Sequence, residues 1–212
     1  MTPGPSIECA KNGPLLLKGP GVLLDLLTGK RTATGEVTAL CRCGSSKTKP
    51  YCDGSHVGAA FSEDKHPDRV RDERRDYVGE RITIHDNRGI CAHAGFCTEK
   101  LDSVFRQHAE PWIDPDAATP EQVIETIRSC PSGALSYSVD GVEQRDGEGV
   151  EPVVMIAPNG PYAIKGRIEL AGIEWGAGAS REHYDLCRCG QSKNKPFCDG
   201  SHWNTTFDER AE

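Results

Sequence analysis

The phrase CRCGSSKTKPYCDGSH, residues 41–56, returns at 187–202 as CRCGQSKNKPFCDGSH. No other feature restricts the possible folds as strongly, because each copy gathers three thiols and an imidazole into sixteen residues. The copies differ only at Ser45/Gln191, Thr48/Asn194 and Tyr51/Phe197, which leaves every Cys, Asp and His in place. The 212-residue chain offers little else for a large core: hydrophobic residues make up 36% and aromatics 6%. Several small modules, each needing a staple, fit that composition better. The 23 glycines and 14 prolines point to turn-rich structure with short strands.

The repeat reaches upstream of the cysteines. KNGPLLLKG (11–19) answers PNGPYAIKG (158–166), PSIECA (5–10) answers PVVMIA (152–157), and downstream Phe61 answers Phe207. A one-residue gap between Gly19 and Cys41 reconciles the registers. Each unit is therefore a strand-rich segment followed by the cysteine phrase, about sixty residues in all. Between the units the character changes. RITIH alternates as a strand, CTEKLDSVFRQ places Leu101, Val104 and Phe105 at helical spacing, and ALSYSV reads as strand again. Thr119-Pro120-Glu121-Gln122 is a helix start, with Val123, Ile124 and Ile127 on one face. The sequence thus divides into a first unit (1–61), a charged linker (62–79), an inserted module (80–138), a Gly/Glu-rich linker (139–151) and a second unit (152–212). The expected class is α+β, built of small modules.

Within each phrase the spacing is Cys-x-Cys-x8-Cys-x3-His: Cys41, Cys43, Cys52 and His56, then Cys187, Cys189, Cys198 and His202. Residues two apart on an extended chain point the same way, and residues four apart on a helix share a face. With Asp53 and Ser55 as capping residues, the spacing predicts a helix start whose free amides suit an anionic, thiolate-bound centre. Such a donor set suits tetrahedral zinc or a two-iron cluster. A single residue between the paired cysteines is fewer than zinc ribbons use, which leans towards iron and leaves zinc open. Metal-free surface cysteines would not account for the duplication of all eight donors.

The full pattern Cys-x-Cys-x2-Ser-x3-Pro-x-Cys-Asp-Gly-Ser-His closely resembles the signature of the CDGSH iron–sulfur domain, the NEET family of mitoNEET. The resemblance implies two [2Fe–2S] clusters. In the first, one iron is held by Cys41 and Cys43 and the other by Cys52 and His56; in the second, the pairs are Cys187 with Cys189 and Cys198 with His202. Single-motif members form intertwined homodimers that share a β-rich cap. Two units in one chain therefore imply an intrachain pseudo-twofold body and a monomer. Unlike mitoNEET, this sequence shows no N-terminal membrane anchor. Ser46, Asp53, Ser192 and Asp199 are candidates for hydrogen bonds that hold the ligands. An imidazole in place of a fourth thiolate should raise the potential and make the site sensitive to protons.

The inserted module has its own cysteines: Cys91, Cys97 and, in CPSGAL, Cys130. Cubane ferredoxins use Cys-x2-Cys-x2-Cys and a distant Cys-Pro, and here Ala94 stands in the middle slot. Three thiols suit a [3Fe–4S] cluster, or a [4Fe–4S] cluster with a fourth ligand, for which His93 is the nearest candidate. The stretch CAHAGFC…VF…PWI…CPSGALSY resembles the divergent mono-cluster ferredoxin domain over about residues 80–138. Trp112 reads as a packing residue. Cys9, the tenth cysteine, aligns with Ile156 and reads as a buried structural thiol.

The net charge of −7 argues against nucleic acid, and the arginines at 69, 71, 74 and 75 are interleaved with acids. The apolar stretch Leu15–Leu27 is broken by Lys18, Gly19, Pro20, Gly21 and Asp25, too soon to span a membrane. No signal peptide is visible, so ten cysteines point to the cytosol and to metal ligands rather than disulfides. Neither a nucleophile–base pair nor a dinucleotide fingerprint occurs. The expectation is a non-enzymatic electron carrier with three clusters that serves a redox partner protein, or a subunit that wires electrons to an oxidoreductase whose catalytic part lies elsewhere. The alternative is a cluster donor or redox/iron sensor that uses the labile His-ligated clusters.

Overall fold

The computed structural model describes residues 4–144 and 150–210. Alternating side chains make the first short strands: β1 (Ser6–Cys9) buries Ile7 and exposes Glu8, while β2 (Leu15–Lys18) buries Leu15 and Leu17 and exposes Lys18. Asn12, in the left-handed region at φ 46°, turns the chain between them. β3 (Val22–Asp25), β4 (Arg31–Ala33) and β5 (Val37–Leu40) follow. The inserted module supplies β6 (Arg74–Val78), β7 (Thr83–Asn87), α1 (Phe96–Lys100), α2 (Pro120–Arg128), β8 (Leu135–Val139) and β9 (Val142–Gln144). The second unit contributes β10 (Val153–Ile156), β11 (Tyr162–Lys165), β12 (Glu169–Ala171) and β13 (His183–Leu186), with Asn159 (φ 48°) where the first has Asn12. The chain is mainly strand and turn with few helices, a small α+β architecture.

Among the described residues the sheets have the orders β12-β1-β2-β5, β13-β11-β10-β3-β4 and β6-β7-β8-β9. In the first two, each antiparallel meander accepts a parallel strand from the other unit. β12 runs beside β1 with Ile7 opposite Leu170, and β3 runs beside β10 with Leu23 opposite Val154. With Gly19 set against Gly166, Val22 falls on Glu169, so the two units exchange the same strand. One core results: Ile7, Leu15, Leu17, Leu23 and Leu40 pack with Val154, Tyr162, Ile164, Leu170, Tyr184, Leu186 and Phe197. Tyr162 ties the units further, its hydroxyl donating to the carbonyls of Cys41 (2.9 Å) and Pro50 (3.0 Å).

The inserted module has its own core of Ile82, Ile84, Val104, Phe105, Ile113, Val123, Ile127, Leu135 and Tyr137. Helix α2 starts as its sequence predicts: Thr119 Oγ1 accepts from the Gln122 amide (3.4 Å), Gln122 Oε1 accepts from the Thr119 amide (3.1 Å), and Pro120 opens the helix. The helical spacing around Leu101 is realised only as far as Lys100. At Leu101 (φ −147°) the chain leaves the helix, so Val104 and Phe105 reach the core from a turn that folds back, with Asp114 N donating to Val104 O (2.9 Å).

Both expected linkers also need correction. Residues 62–79 end in β6 and residues 139–151 include β9; residues 145–149 lie outside the described residues. The charges of β6 hid it. It is an edge strand, where charge is tolerated, and Arg74 pairs with Asp76 (2.7 Å) and Glu143 (2.9 Å). Among the described residues no helix is long and apolar enough to cross a membrane.

Candidate metal centres

Each cysteine phrase begins where a sheet strand ends. Cys41 follows β5 and Cys187 follows β13, with their amides donating to Pro50 O and Pro196 O (2.8 Å each). Extended backbone then aims alternate side chains together, and the sulfurs of Cys41 and Cys43 lie 3.7 Å apart, those of Cys187 and Cys189 3.8 Å. In each pair the S–H···S bond holds one thiol below its ordinary pKa, Cys41 at about 5, and lifts the other above it. The other donors also meet: Cys52 Sγ stands 3.5 Å from His56 Nδ1, and Cys198 Sγ 3.4 Å from His202 Nδ1.

The predicted helix start does not form. Residues 52–56 form no helix, only a bend at Gly54 and a turn from Ser55, and in the second copy Ser201–Asn204 make a 3₁₀ turn. Gly54 (φ 90°) and Gly200 (φ 81°) bend the backbone so sharply that Cys and His face each other without a helix. Asp53 and Asp199 are accordingly brackets rather than caps. Asp53 Oδ2 accepts from the Lys47 amide (2.8 Å) and Oδ1 from the Ser55 amide (3.0 Å); Asp199 does the same with Lys193 (2.7 Å) and Ser201 (3.0 Å). The Lys47 amide holds the Asp53 carboxyl well below the usual range. Burial lifts Asp199, yet its bonds to Ser201 and Lys193 keep it low as well. Ser46 and Ser192 fix the same loop, donating to the carbonyls of Tyr51 (2.6 Å) and Phe197 (2.7 Å). Amides also point at sulfur: Ser45 at Cys43 and Gln191 at Cys189, both 3.4 Å, and Gly200 at Cys198, 3.5 Å.

The arginine between each cysteine pair drew no attention in the sequence. Strand alternation sends it away from the sulfurs, and the donor pattern repeats in both copies. Buried Arg42 donates to Gly13 O and Ala10 O (2.7 Å each) and to Glu63 (2.6 Å). Buried Arg188 donates to Ala157 O (2.9 Å), Gly160 O (3.4 Å) and Glu209 (2.9 Å). Each locks its phrase to the Asn-Gly turn and to a glutamate a few residues beyond the phrase. The signal available was a cation kept at the centre of Cys-Arg-Cys twice.

The two phrases touch. Cys43 and Cys189 form an antiparallel bridge, and a Cβ on Gly44 or Gly190 would lie 2.5 Å from the carbonyl oxygen of Cys189 or Cys43. Yet their surroundings differ. Cys187, Cys189, Cys198 and His202 are buried, while Cys43, Cys52 and His56 are half-buried. Burial lifts the Cys198 thiol and lowers His202, keeping its ring in the neutral form that ligates. The inserted module covers the second phrase: Asn194 Nδ2 donates to Gly89 O (2.6 Å) and Asp72 Oδ1 (3.3 Å).

Within that module Cys91, Cys97 and Cys130 line one cavity of about 860 Å³ with Ala94, Trp112 and Arg88. Cys91 follows the 3₁₀ turn Arg88–Ile90, Cys97 lies in α1, and Cys130 follows α2. Burial pushes Cys91 up to about 12 and raises Cys97, against the charge of Arg88, whose Nη1 donates to Cys91 Sγ (3.5 Å). His93 borders the cavity, but its ring nitrogens have other partners: Nδ1 is 3.1 Å from Asp199 O and Nε2 3.3 Å from Arg88 Nη2. Trp112 packs on Phe105 (5.9 Å) and under Arg88 (4.8 Å). Cys9 is half-buried at the end of β1, its thiol raised by burial.

Among the described residues no three His, Cys, Asp or Glu side chains converge as a single metal ion requires. In the phrases the donors stand two and two. Two pairs of sulfur and imidazole donors fit the two irons of a [2Fe–2S] centre, and three thiols around one cavity fit a cubane-type centre.

The chain matches the family model described as iron-binding zinc finger CDGSH type twice, over residues 12–57 and 159–203. Between them, residues 77–140 match the model described as divergent 4Fe-4S mono-cluster. Two relatives named Uncharacterized protein YjdI, from Escherichia coli K12 and O157:H7, are each 41% identical over 63 residues, which is 30% of this chain and 83% of theirs. No solved structure matches.

Proposed function

We propose that this chain, which belongs to the CDGSH iron–sulfur family and carries two copies of its domain around a divergent 4Fe-4S mono-cluster domain, is an electron carrier with three centres. On this reading Cys41, Cys43, Cys52 and His56 hold one [2Fe–2S] cluster, and Cys187, Cys189, Cys198 and His202 hold the other. Cys91, Cys97 and Cys130 hold a [3Fe–4S] or [4Fe–4S] cluster. The clusters supply one-electron redox chemistry; the chain spaces them, sets their charge environment and shields them. On the same reading the exchange of β3 and β12 supports an intrachain NEET-like pseudo-dimer, and the protein is a cytosolic monomer that meets a redox partner protein.

The observation that carries this reading is the contact between donor sets. Cys43 bridges to Cys189, and Gly200, two residues after Cys198, packs on Ala92, beside Cys91 (3.1 Å from a Cβ there to the carbonyl oxygen). Three adjoining redox sites serve electron transfer better than storage. The amides aimed at Cys43, Cys189 and Cys198 lower the electron density on sulfur, and a neutral imidazole in place of a thiolate removes one negative charge; both raise the potential.

A second reading is supported by the half-buried donors of the first phrase, from which cluster donation would start. Iron and acid-labile sulfide per chain, with EPR before and after reduction, test the first: about seven irons are expected with three in the middle site, and about eight with four. A value near four sinks the middle centre. Reversible reduction with all iron retained supports the carrier; passage of iron and sulfide to an apo-ferredoxin from the first site supports the donor.

A further inference from the structure

Between the middle donor set and the second phrase, the contacts at Gly200, Asp199 and His93 lie within two residues of a cysteine. Gly200 donates its amide to Cys198 Sγ (3.5 Å) and faces the inserted module so closely that a Cβ there would lie 3.1 Å from both Ala92 O and His93 Cβ. Asp199 turns its carbonyl to His93 Nδ1 (3.1 Å). A carbonyl only accepts and a guanidinium only donates, so these neighbours select one tautomer. Nδ1–H donates to Asp199, and Nε2 accepts from Arg88 Nη2 (3.3 Å). Arg88 completes the span, with Nη1 on Cys91 Sγ (3.5 Å) and its guanidinium over the Trp112 ring (4.8 Å). The first phrase has no such neighbour: among the described residues a Cβ on Gly54 would meet nothing within 4 Å, and Thr48 replaces the Asn194 that anchors the turn at Gly89.

We infer that His93 and Arg88 are positioning residues, a strap that holds a positive charge on Cys91 only while the Cys198–His202 turn is in place, and so makes the middle site respond to the second CDGSH site but not to the first. The inference rests on reading both as cluster sites. The physics is local. Arg88 stabilises extra negative charge at the Cys91 sulfur and therefore favours the reduced state. His93 fixes the other fork of the same guanidinium, and Asp199 fixes His93. Release of the Asp199 carbonyl frees the imidazole, and the guanidinium then has one restraint fewer over Trp112.

The test is an EPR-monitored redox titration of the full chain. Arg88→Gln should lower the middle-centre midpoint by about a tenfold change in the reduction equilibrium, about 59 mV for one electron, and Arg88→Lys should recover only part of it. His93→Gly should move the midpoint the same way. His93→Asn, whose amide can both donate and accept and which tolerates the φ of 54° at this position, should restore it. His202→Cys should shift the middle-centre signal, and His56→Cys should not. A midpoint unmoved by Arg88→Gln and His93→Gly overturns the strap while leaving the clusters standing, as does an equal response to His56→Cys. A wild-type chain without a middle-centre signal overturns the cluster reading and this inference with it. Should Arg88→Gln fail to assemble the centre, His93→Gly alone reads the same contact: a lowered midpoint supports the strap and an unchanged one refutes it.

Discussion

Of the three residues that distinguish the two phrases, two record where each copy sits. Phe197 is 1% exposed and packs against Trp175 (5.3 Å between rings), whereas its counterpart Tyr51 is 41% exposed. Phe197→Tyr should therefore bury a hydroxyl and cost about 1–3 kcal/mol in chemical denaturation, while Tyr51→Phe should stay within about 0.5 kcal/mol. Equal effects would contradict the difference in burial. Asn194, where the first copy has Thr48, gains its reason from Gly89 O and Asp72; nothing in the structure distinguishes Ser45 from Gln191. A further residue carries a pH signature. Burial raises the Asp86 carboxyl to about 6, against the charges of Arg88 and Arg75 and a bond from Trp112. Unfolded, it would titrate near 3.9, so between those values the folded state holds the extra proton. The contribution of Asp86 to stability is then fully present below about pH 4 and is lost as pH rises through about 6. Asp86→Asn should flatten that slope in urea titrations and add roughly 2–3 kcal/mol at pH 7; an unchanged slope would place the charge elsewhere.

At the scale of elements, alternation and turn chemistry made β1, β2, β10 and β11 legible, and the Thr-Pro-Glu-Gln box made α2 legible. Where the reading failed, a tertiary contact had replaced a local preference. The Cys-x3-His spacing suggested a helix, but Gly54 and Gly200 in the left-handed region, with Asp53 and Asp199 bracketing a distant amide, bring the same donors together as a turn. The charge of β6 suggested a linker, but an edge position pairs those charges along a sheet. Strand exchange has a measurable consequence. Ile7 is fully buried on β1 between β2 and the borrowed β12, so Ile7→Ala should cost about 2–5 kcal/mol. Because both sheets share one core, far-UV circular dichroism and, with the proposed clusters bound, visible absorbance from both CDGSH sites should be lost in one transition. Separate transitions for the two units would argue against the shared core.

At the scale of the molecule, a near-identical repeat becomes unequal once the inserted module settles on one copy. The second donor set is buried under residues 89–93 and the first stays half-buried. With a chelator at mildly acid pH, the CDGSH absorbance should therefore decay in two phases of equal amplitude, the faster one slowed by His56→Cys; a single phase for both sites would remove the inequality. The sequence by itself determined which cysteines and histidines of each phrase come together, the repeat and most strands, because each depends on neighbours a few residues apart: sulfurs two apart on extended chain, apolar residues alternating, and a capping box closing on itself. Only the tertiary structure decided that β3 and β12 change places, that Cys43 backs onto Cys189, and that the inserted module covers the second phrase rather than the first. Those choices are made by carbonyls, amides and close glycine approaches between residues far apart in the chain. Backbone groups are the same at every residue, so the sequence carries no mark of which ones will meet.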